Sequence, residues 1–292
     1  GGQETMATLM TGTTPAHHSI MTNHYFSRSE RKPMPILHDK QTSGIGTDIQ
    51  ISPRAILSTT ITDEWRMQRG KEAKIYAIGL QPEATTLMAG HAANACCWLD
   101  AESQKWVTTS FYPEGLPSAA DDMNMVGRIT QLAEREWIPR MDIAMYNHPT
   151  EKERKRGFSY VNKECLLQSP IANTLVIEMA LALQQAQKLG TDLTPDLLLL
   201  QLNTLSPKAQ SDAMESAEQE DMYIGLNQDL GFLMEQLGKR IGKENYQILV
   251  VGRPVKGYSA STLSMANLAV QHFNVDRAAA LTGTYLMAIY GH

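Results

Sequence analysis

Chemistry needs nucleophiles, metal ligands or phosphate cradles at defined spacing, and this 292-residue chain gathers few of them. Its three cysteines are Cys96, Cys97 and Cys165. Two are adjacent and one is remote, so there is neither a CxxC pair nor a zinc-ligand spacing, and small buried hydrophobes are the expectation. Trp98, Trp106 and Trp137 offer rings that could stack on a sugar or nucleotide, with core or cap packing as the competing role. The run Glu151-Lys152-Glu153-Arg154-Lys155-Arg156 reads as a solvated loop, with phosphate binding as the alternative. Gly44-Ile45-Gly46 lacks a dinucleotide-binding context, and no Walker-type phosphate loop, H-E-x-x-H or G-x-S-x-G occurs.

The elements that would position a site alternate between helix and strand. Ser52-Pro53 is a helix start signal, followed by Leu57, Ile61 and Trp65 at helical spacing. Lys74 to Leu80 reads as a short buried strand. Ser169-Pro170 repeats the start signal before a stripe of Leu175, Met179 and Leu183, stopped at Gly190. Leu197 to Leu202 then reads as an apolar strand. A long stripe of Met222, Leu226, Leu230, Leu233, Leu237 and Ile241 predicts a helix ending near Gly242, with Ile248-Leu249-Val250-Val251 as the next strand. Apolar strands without alternation suit a sheet covered on both faces. The expected fold is therefore α/β, a mostly parallel central sheet flanked by helices. It spans residues 1–292 as a single domain, with 101–168 as an irregular cap or insertion. Ligands of open α/β sheets bind beyond the carboxyl ends of the strands, which nominates the loops Gln81-Pro82-Glu83, Asn203 to Gln210, and Gly252-Arg253-Pro254. None holds a metal-ligand cluster.

Composition narrows the partners. Hydrophobic residues at 42% and charged residues at 20% exclude a disordered chain. The formal net charge of −5 gives no basic surplus for nucleic acid or an anionic membrane. No apolar run approaches the roughly 20 residues of a membrane span, and the opening Gly1-Gly2-Gln3-Glu4-Thr5 is not a signal peptide.

Several segments resemble the alkaline phosphatase superfamily, in its phosphodiesterase/nucleotide pyrophosphatase branch. Thr11-Gly12-Thr13-Thr14-Pro15-Ala16-His17-His18 is similar to T-G-T-x-P-x-x-H-G, and Ala89 to Ala95 to A-G-H-x-A-N-A of bacterial exported phosphatases. Pro170 to Leu175 resembles T-P-x-x-N-T-L, and Asp221 to Leu237 resembles a helix pattern that opens E-D-x-Y. Arg277 to Leu281 and Tyr285 to Gly291 are similar to R-A-x-A-L and Y-L-M-A-L-Y-G. The resemblance runs through almost the whole chain in order. It implies metal-dependent phosphoric-ester hydrolysis, with two zinc ions held by aspartates and histidines around a threonine or serine nucleophile.

Carried over position by position, that machinery is missing. The nucleophile's place falls on Gly2, with Thr5 and Thr8 nearby but out of register. The phosphate-contacting asparagine falls on Asn23. A lysine–arginine phosphate clamp falls on Gln81 and Glu83, an aspartate–histidine zinc pair on Ser206 and Gln210, and a second such pair on Arg253 and Pro254. The expectation is a catalytically inactive homologue without a cofactor, acting on a protein partner or a small anionic ligand through Asn23 and Arg253. The alternative is an active hydrolase with a rebuilt site, using Thr5 or Thr8 as nucleophile and His17, His18, His24 and His91 for zinc. By resemblance the protein is periplasmic or secreted.

Overall fold

The computed structural model describes residues 2–147, 149–158, 165–207, 216–252 and 275–290. The chain divides into two compact units, Gly1–Val255 and Lys256–His292. In the second, the described residues form one helix, Val275–Tyr290. The first holds helices α1 (Gln3–Thr11), α2 (Pro15–His18), α3 (Ile61–Arg69), α4 (Pro82–Ala89), α5 (Ser118–Val126), α6 (Arg128–Ala133), α7 (Glu151–Arg156), α8 (Pro170–Gln187) and α9 (Ala217–Ile241). A small antiparallel hairpin pairs β1 (His24–Ser27) with β2 (Lys32–Pro35).

The main sheet runs in the order β3 (Gly44–Ile45), β6 (Lys105–Thr109), β5 (Ala95–Asp100), β4 (Ile75–Gly79), β7 (Leu197–Leu200). β4 is parallel to both β5 and β7, whereas β6 is antiparallel to β5 and β3. The sheet is thus mixed where a mostly parallel one was expected. Residues 101–104 are too few for the crossover that a parallel connection requires, so β5 and β6 must form a hairpin. Both faces are covered. Tyr76, Ile78, Cys97 and Trp106 pack against α5, α6 and α8, while Ile75, Ala77, Cys96 and Trp98 pack against α1 and α4. Burial of each isoleucine, Ile75 and Ile78, contributes about 1.5–3 kcal/mol. The adjacent cysteines serve opposite faces of one strand, and burial pushes the Cys97 thiol up to about 12.

Four local expectations change. Ser52 caps only a short 3-10 turn, Pro53–Ala55, because a stronger signal follows: Thr60 and Asp63 form a reciprocal capping box that starts α3. The charge run Glu151–Arg156 is helix α7, started by the same device from Thr150 and Glu153. Of the expected cap, Lys105–Thr109 lies inside the sheet, and Ala119, Ala120, Ile129 and Leu132 belong to the core against α8. The tryptophans Trp98, Trp106 and Trp137, by contrast, take the core-packing role rather than that of a ring platform, as the sequence favoured. Finally, Ile248–Val251 forms no strand and all four side chains are exposed, Leu249 at 86%.

Candidate functional site

The start of α1 carries the place expected for a nucleophile. An open cleft of about 530 Å³ is lined there by Gly2, Glu4, Met21, Thr22, Asn23 and His24. A helix start presents unpaired N–H groups and a partial positive charge, which suits an anion. Here protein groups take that role: Asn23 Oδ1 accepts from Gln3 N–H at 2.8 Å and Glu4 Oε1 from Gly2 N–H at 3.1 Å. A Cβ on Gly2 would lie 2.3 Å from Glu4 Oε2 and 2.6 Å from Asn23 Oδ1, so any larger residue must displace both side chains. The cleft brings together Gly2, Asn23 and His24 among the candidate positions. Thr5, Thr8, His17, His18, Gln81, Glu83, Ser206 and His91 do not line it.

The other histidines have structural partners. His17 Nδ1 and Thr14 Oγ1 lie 3.1 Å apart within α2 and its cap. His18 is fully buried, its Nε2 3.0 Å from Thr8 Oγ1. That spacing resembles a nucleophile–base pair, but the tautomer is wrong. Ile20 N–H donates to His18 Nδ1 at 3.1 Å, so Nδ1 is the acceptor and the ring proton sits on Nε2. Burial also lowers the His18 pKa and keeps the ring neutral. Nε2–H therefore donates to Thr8 and cannot withdraw its proton. His91 Nδ1 donates to Asp63 Oδ2 at 2.8 Å, and that bond raises the His91 pKa against the opposing effect of burial.

The rim at the carboxyl ends of β4 and β7 is built from carboxamides. Gln201 Oε1 accepts from Leu80 N–H at 2.8 Å and Gln81 N–H at 2.9 Å, tying β7 to the start of α4. Gly79 beneath them must be glycine, since a Cβ would meet Thr85 Oγ1 at 2.0 Å. Asn173 and Asn203 exchange side-chain and backbone bonds at 2.7 and 2.8 Å. Ser206 is fully buried, and its N–H donates to Gln219 Oε1 at 3.0 Å, while Gln219 Nε2 donates to Thr204. Gln81 is the N-cap position of α4 and Glu83 lies in its first turn. Gln210, Arg253 and Pro254 lie outside the described residues. Gln201 was detectable as the polar residue in the run Leu197–Leu202; the roles of Asn173 and Gln219 carry no local signal.

Carboxylates are concentrated elsewhere. Asp63 accepts from Thr60 N–H and Oγ1, His91 N–H and Nδ1, and Ala92 N–H. Burial pushes its pKa up, but the bonds from His91 and Thr60 outweigh it and hold the carboxyl below its ordinary value. Asp221 has no exposed surface and accepts from Trp137 Nε1 at 2.7 Å, Tyr146 Oη at 2.6 Å, and Arg140 N–H and Nη1 at 2.9 and 3.2 Å. The A-G-H-A-A-N-A segment is scaffold as well. Asn94 Oδ1 accepts from Ile75 N–H at 2.9 Å and its Nδ2 donates to Glu114 at 2.7 Å.

The profile of the type I phosphodiesterase / nucleotide pyrophosphatase family matches residues 5–253. The chain belongs to that family. Alkaline phosphatase PafA of Elizabethkingia meningoseptica is 26% identical over 264 residues, covering 83% of this chain and 48% of the relative. Alkaline phosphatase PhoV of Synechococcus elongatus is 27% identical over 264 residues, covering 84% and 48%. The chain therefore spans about half the length of these relatives. The crystal structure of wild-type PafA superposes with a TM-score of 0.83 at 24% identity, covering 99% of this chain and 59% of that one, and it shares the fold. The crystal structure of a multiply substituted PafA mutant gives a TM-score of 0.74 at 26% identity, over 84% of this chain and 52% of its own.

The resemblance implies a zinc pair, and the donor chemistry at the matched positions does not fit one. Zinc takes thiolate, imidazole or carboxylate ligands. The cleft offers one carboxylate and one imidazole, and the described rim offers neutral amides, a buried serine and the single carboxylate of Glu83. Among the described residues, no three His, Cys, Asp or Glu side chains converge in a way that could hold a metal ion. No described helix is long and apolar enough to cross a membrane.

Proposed function

We propose that this chain is a catalytically inactive member of the phosphodiesterase/nucleotide pyrophosphatase family that acts by binding rather than by turnover. The observation that carries this reading is Ser206, buried and bonded to Gln219 at the position where the resemblance expects a zinc-ligating carboxylate. A serine hydroxyl supplies no negative charge to a divalent pair, so the ancestral nucleophile would have no metal to lower its pKa. Gly2 lacks a nucleophile altogether, and Glu83 would repel a phosphate where a clamp is expected. The alternative hydrolase with a rebuilt site loses its best candidate, because the His18 tautomer leaves Thr8 without a base. The partner is a protein or a small anionic ligand. Export to the periplasm or the cell exterior is the location that the resemblance favours.

The test is turnover of aryl phosphate monoesters and diesters by the purified chain, with and without added zinc. No zinc-dependent hydrolysis above the buffer rate supports the proposal, and saturable zinc-dependent turnover overturns it. A thermal-shift screen over phosphate, nucleotides and glycans then sorts the partners. A ligand at 100 times its dissociation constant adds about 2.7 kcal/mol of stability.

A further inference from the structure

The hairpin of β1 and β2 is a sheet of its own, and its two edges differ. Pro33 and Pro35 lack an N–H, so they fit only the non-hydrogen-bonded pairs of an antiparallel ladder. Their partners across the ladder are Phe26 and His24. Ile36 N–H donates to Asn23 O at 3.0 Å and fixes the same alternation. Phe26 and His24 therefore turn their N–H and C=O groups away from β2, along the outer edge of β1. Thr22 Oγ1 donates to the His24 carbonyl, which leaves both N–H groups and the Phe26 carbonyl for a further strand. On β2 the outward positions are the two prolines, which close that edge. One edge is open and the other is blocked.

Side chains and charge mark the same element. Ser27 and Met34 are buried on one face of the hairpin, while the other presents His24, Phe26 and Pro33 to solvent. Phe26 is 64% exposed, and Tyr25 is exposed as well. The turn that follows β1 carries Arg28 and Arg31, and Lys32 opens β2. All three are exposed, and none has an ion-pair partner among the described residues. Glu30, the carboxylate of the turn, is already held by Lys40. In a chain of net charge −5, this is a local excess of cations beside two exposed rings. The cations sit where β1 runs out, so they select by sign what the edge accepts by its backbone.

We infer that the outer edge of β1 docks an extended acidic segment of a partner protein, which adds as a third strand of the hairpin. The segment's backbone pairs with His24 N–H, Phe26 N–H and the Phe26 carbonyl, its alternate apolar side chains cover Phe26, and its carboxylates reach Arg28 and Arg31. The partner is a protein because the edge asks for a backbone ladder, which neither a lipid surface nor a nucleic acid supplies. The edge starts at the cleft, whose lining includes Asn23 and His24. The inference rests on the binding reading for its purpose, since it gives that reading a partner, but not for its geometry. Zinc-dependent turnover would overturn the reading and leave this surface as it is.

Fluorescence anisotropy of the intact chain with the labelled synthetic peptide Glu-Val-Glu-Phe-Glu-Val-Glu tests it, together with residue-resolved amide hydrogen exchange. The peptide should bind saturably, bind more weakly as salt rises, and slow exchange at His24 and Phe26 at least roughly tenfold. The same peptide with lysine for every glutamate should not bind. Arg28→Glu/Arg31→Glu should weaken binding roughly tenfold or more, and Phe26→Ala should weaken it several-fold. Absence of saturable binding to the wild type overturns the inference, and this arm decides alone if a variant fails to fold. Binding that survives the charge reversal, or that leaves His24 and Phe26 exchanging as in the free chain, overturns it too, since the peptide is then held elsewhere. Edge protection that grows with protein concentration without peptide, alongside a dimer in sedimentation, names a second copy as occupant. Binding to phosphatidylglycerol vesicles but not to the peptide names a lipid surface. Either result contradicts it.

Discussion

Asp221 and Ser206 lie on either side of one contrast. Asp221 is fully buried and satisfied by four donors from Trp137, Arg140 and Tyr146. Ser206 is equally buried, and its N–H donates to an amide, Gln219, while Asn173 and Asn203 bond to each other just before it. The protein keeps an anionic side chain where it holds segments together, and a serine stands at the one described position where the family resemblance calls for a metal ligand. An amide both donates and accepts, so it can close a loop without leaving an uncompensated charge.

The contrast can be broken most forcefully at Asp221. Replacing it by alanine strands the Arg140 guanidinium and two buried donors, and should cost about 4 kcal/mol in urea unfolding. A loss under about 1 kcal/mol would show that the anchor is dispensable. Asp63→Asn should cost about 3 kcal/mol, because it removes the partner of His91 and weakens acceptance from three backbone N–H groups. The pH dependence sharpens this point. His91 has a raised pKa, so its contribution is full below 6.5 and is lost as pH rises through the folded value. Asp63 has a lowered pKa, so its contribution is present above 3.8 and is lost as pH falls through the folded value. The wild type should lose stability at both limits, and the variant should lack both dependences.

On the rim, Gln201→Ala leaves Leu80 and Gln81 N–H without their acceptor and should cost about 2 kcal/mol. An unchanged melting curve would mean that this amide does not hold the rim. The smallest effect is expected at Asp229, where burial beside Thr174 raises the carboxyl to about 6. The folded state then holds a proton that the unfolded state has lost, so stability from this group falls as pH rises between about 3.8 and 6. Asp229→Asn should raise stability by about 1 kcal/mol at neutral pH and have little effect near pH 4.

Much of this was legible in the sequence. The strands at Ile75 and Leu197, the starts of α8 and the long α9, and the family itself all follow from local patterns, because proline starts, apolar runs and glycine stops are local physics. The mixed sheet was less visible, since the antiparallel hairpin depends on the brevity of 101–104 rather than on any residue type. Ser52-Pro53 misled because Thr60 with Asp63 outcompetes it a few residues on. At the candidate site, the sequence marks Ser206 and Gly2 as the positions where the resemblance expects a ligand and a nucleophile, but it does not mark the partners of Ser206. Gln219 reaches Ser206 across 13 residues and Asn173 reaches Asn203 across 30, and such pairings exist only once the helices have packed. The His18 tautomer depends on a single backbone donor, Ile20, that no spacing rule marks.

The proposed inactivity requires that this chain hold no zinc pair. Equilibrium dialysis of the intact chain against zinc, followed by elemental analysis of the protein, tests it most directly. The account predicts less than one tightly bound zinc per chain and no change when His17 and His18 are replaced by alanine. Two zinc ions per chain, surviving exhaustive dialysis, would contradict it.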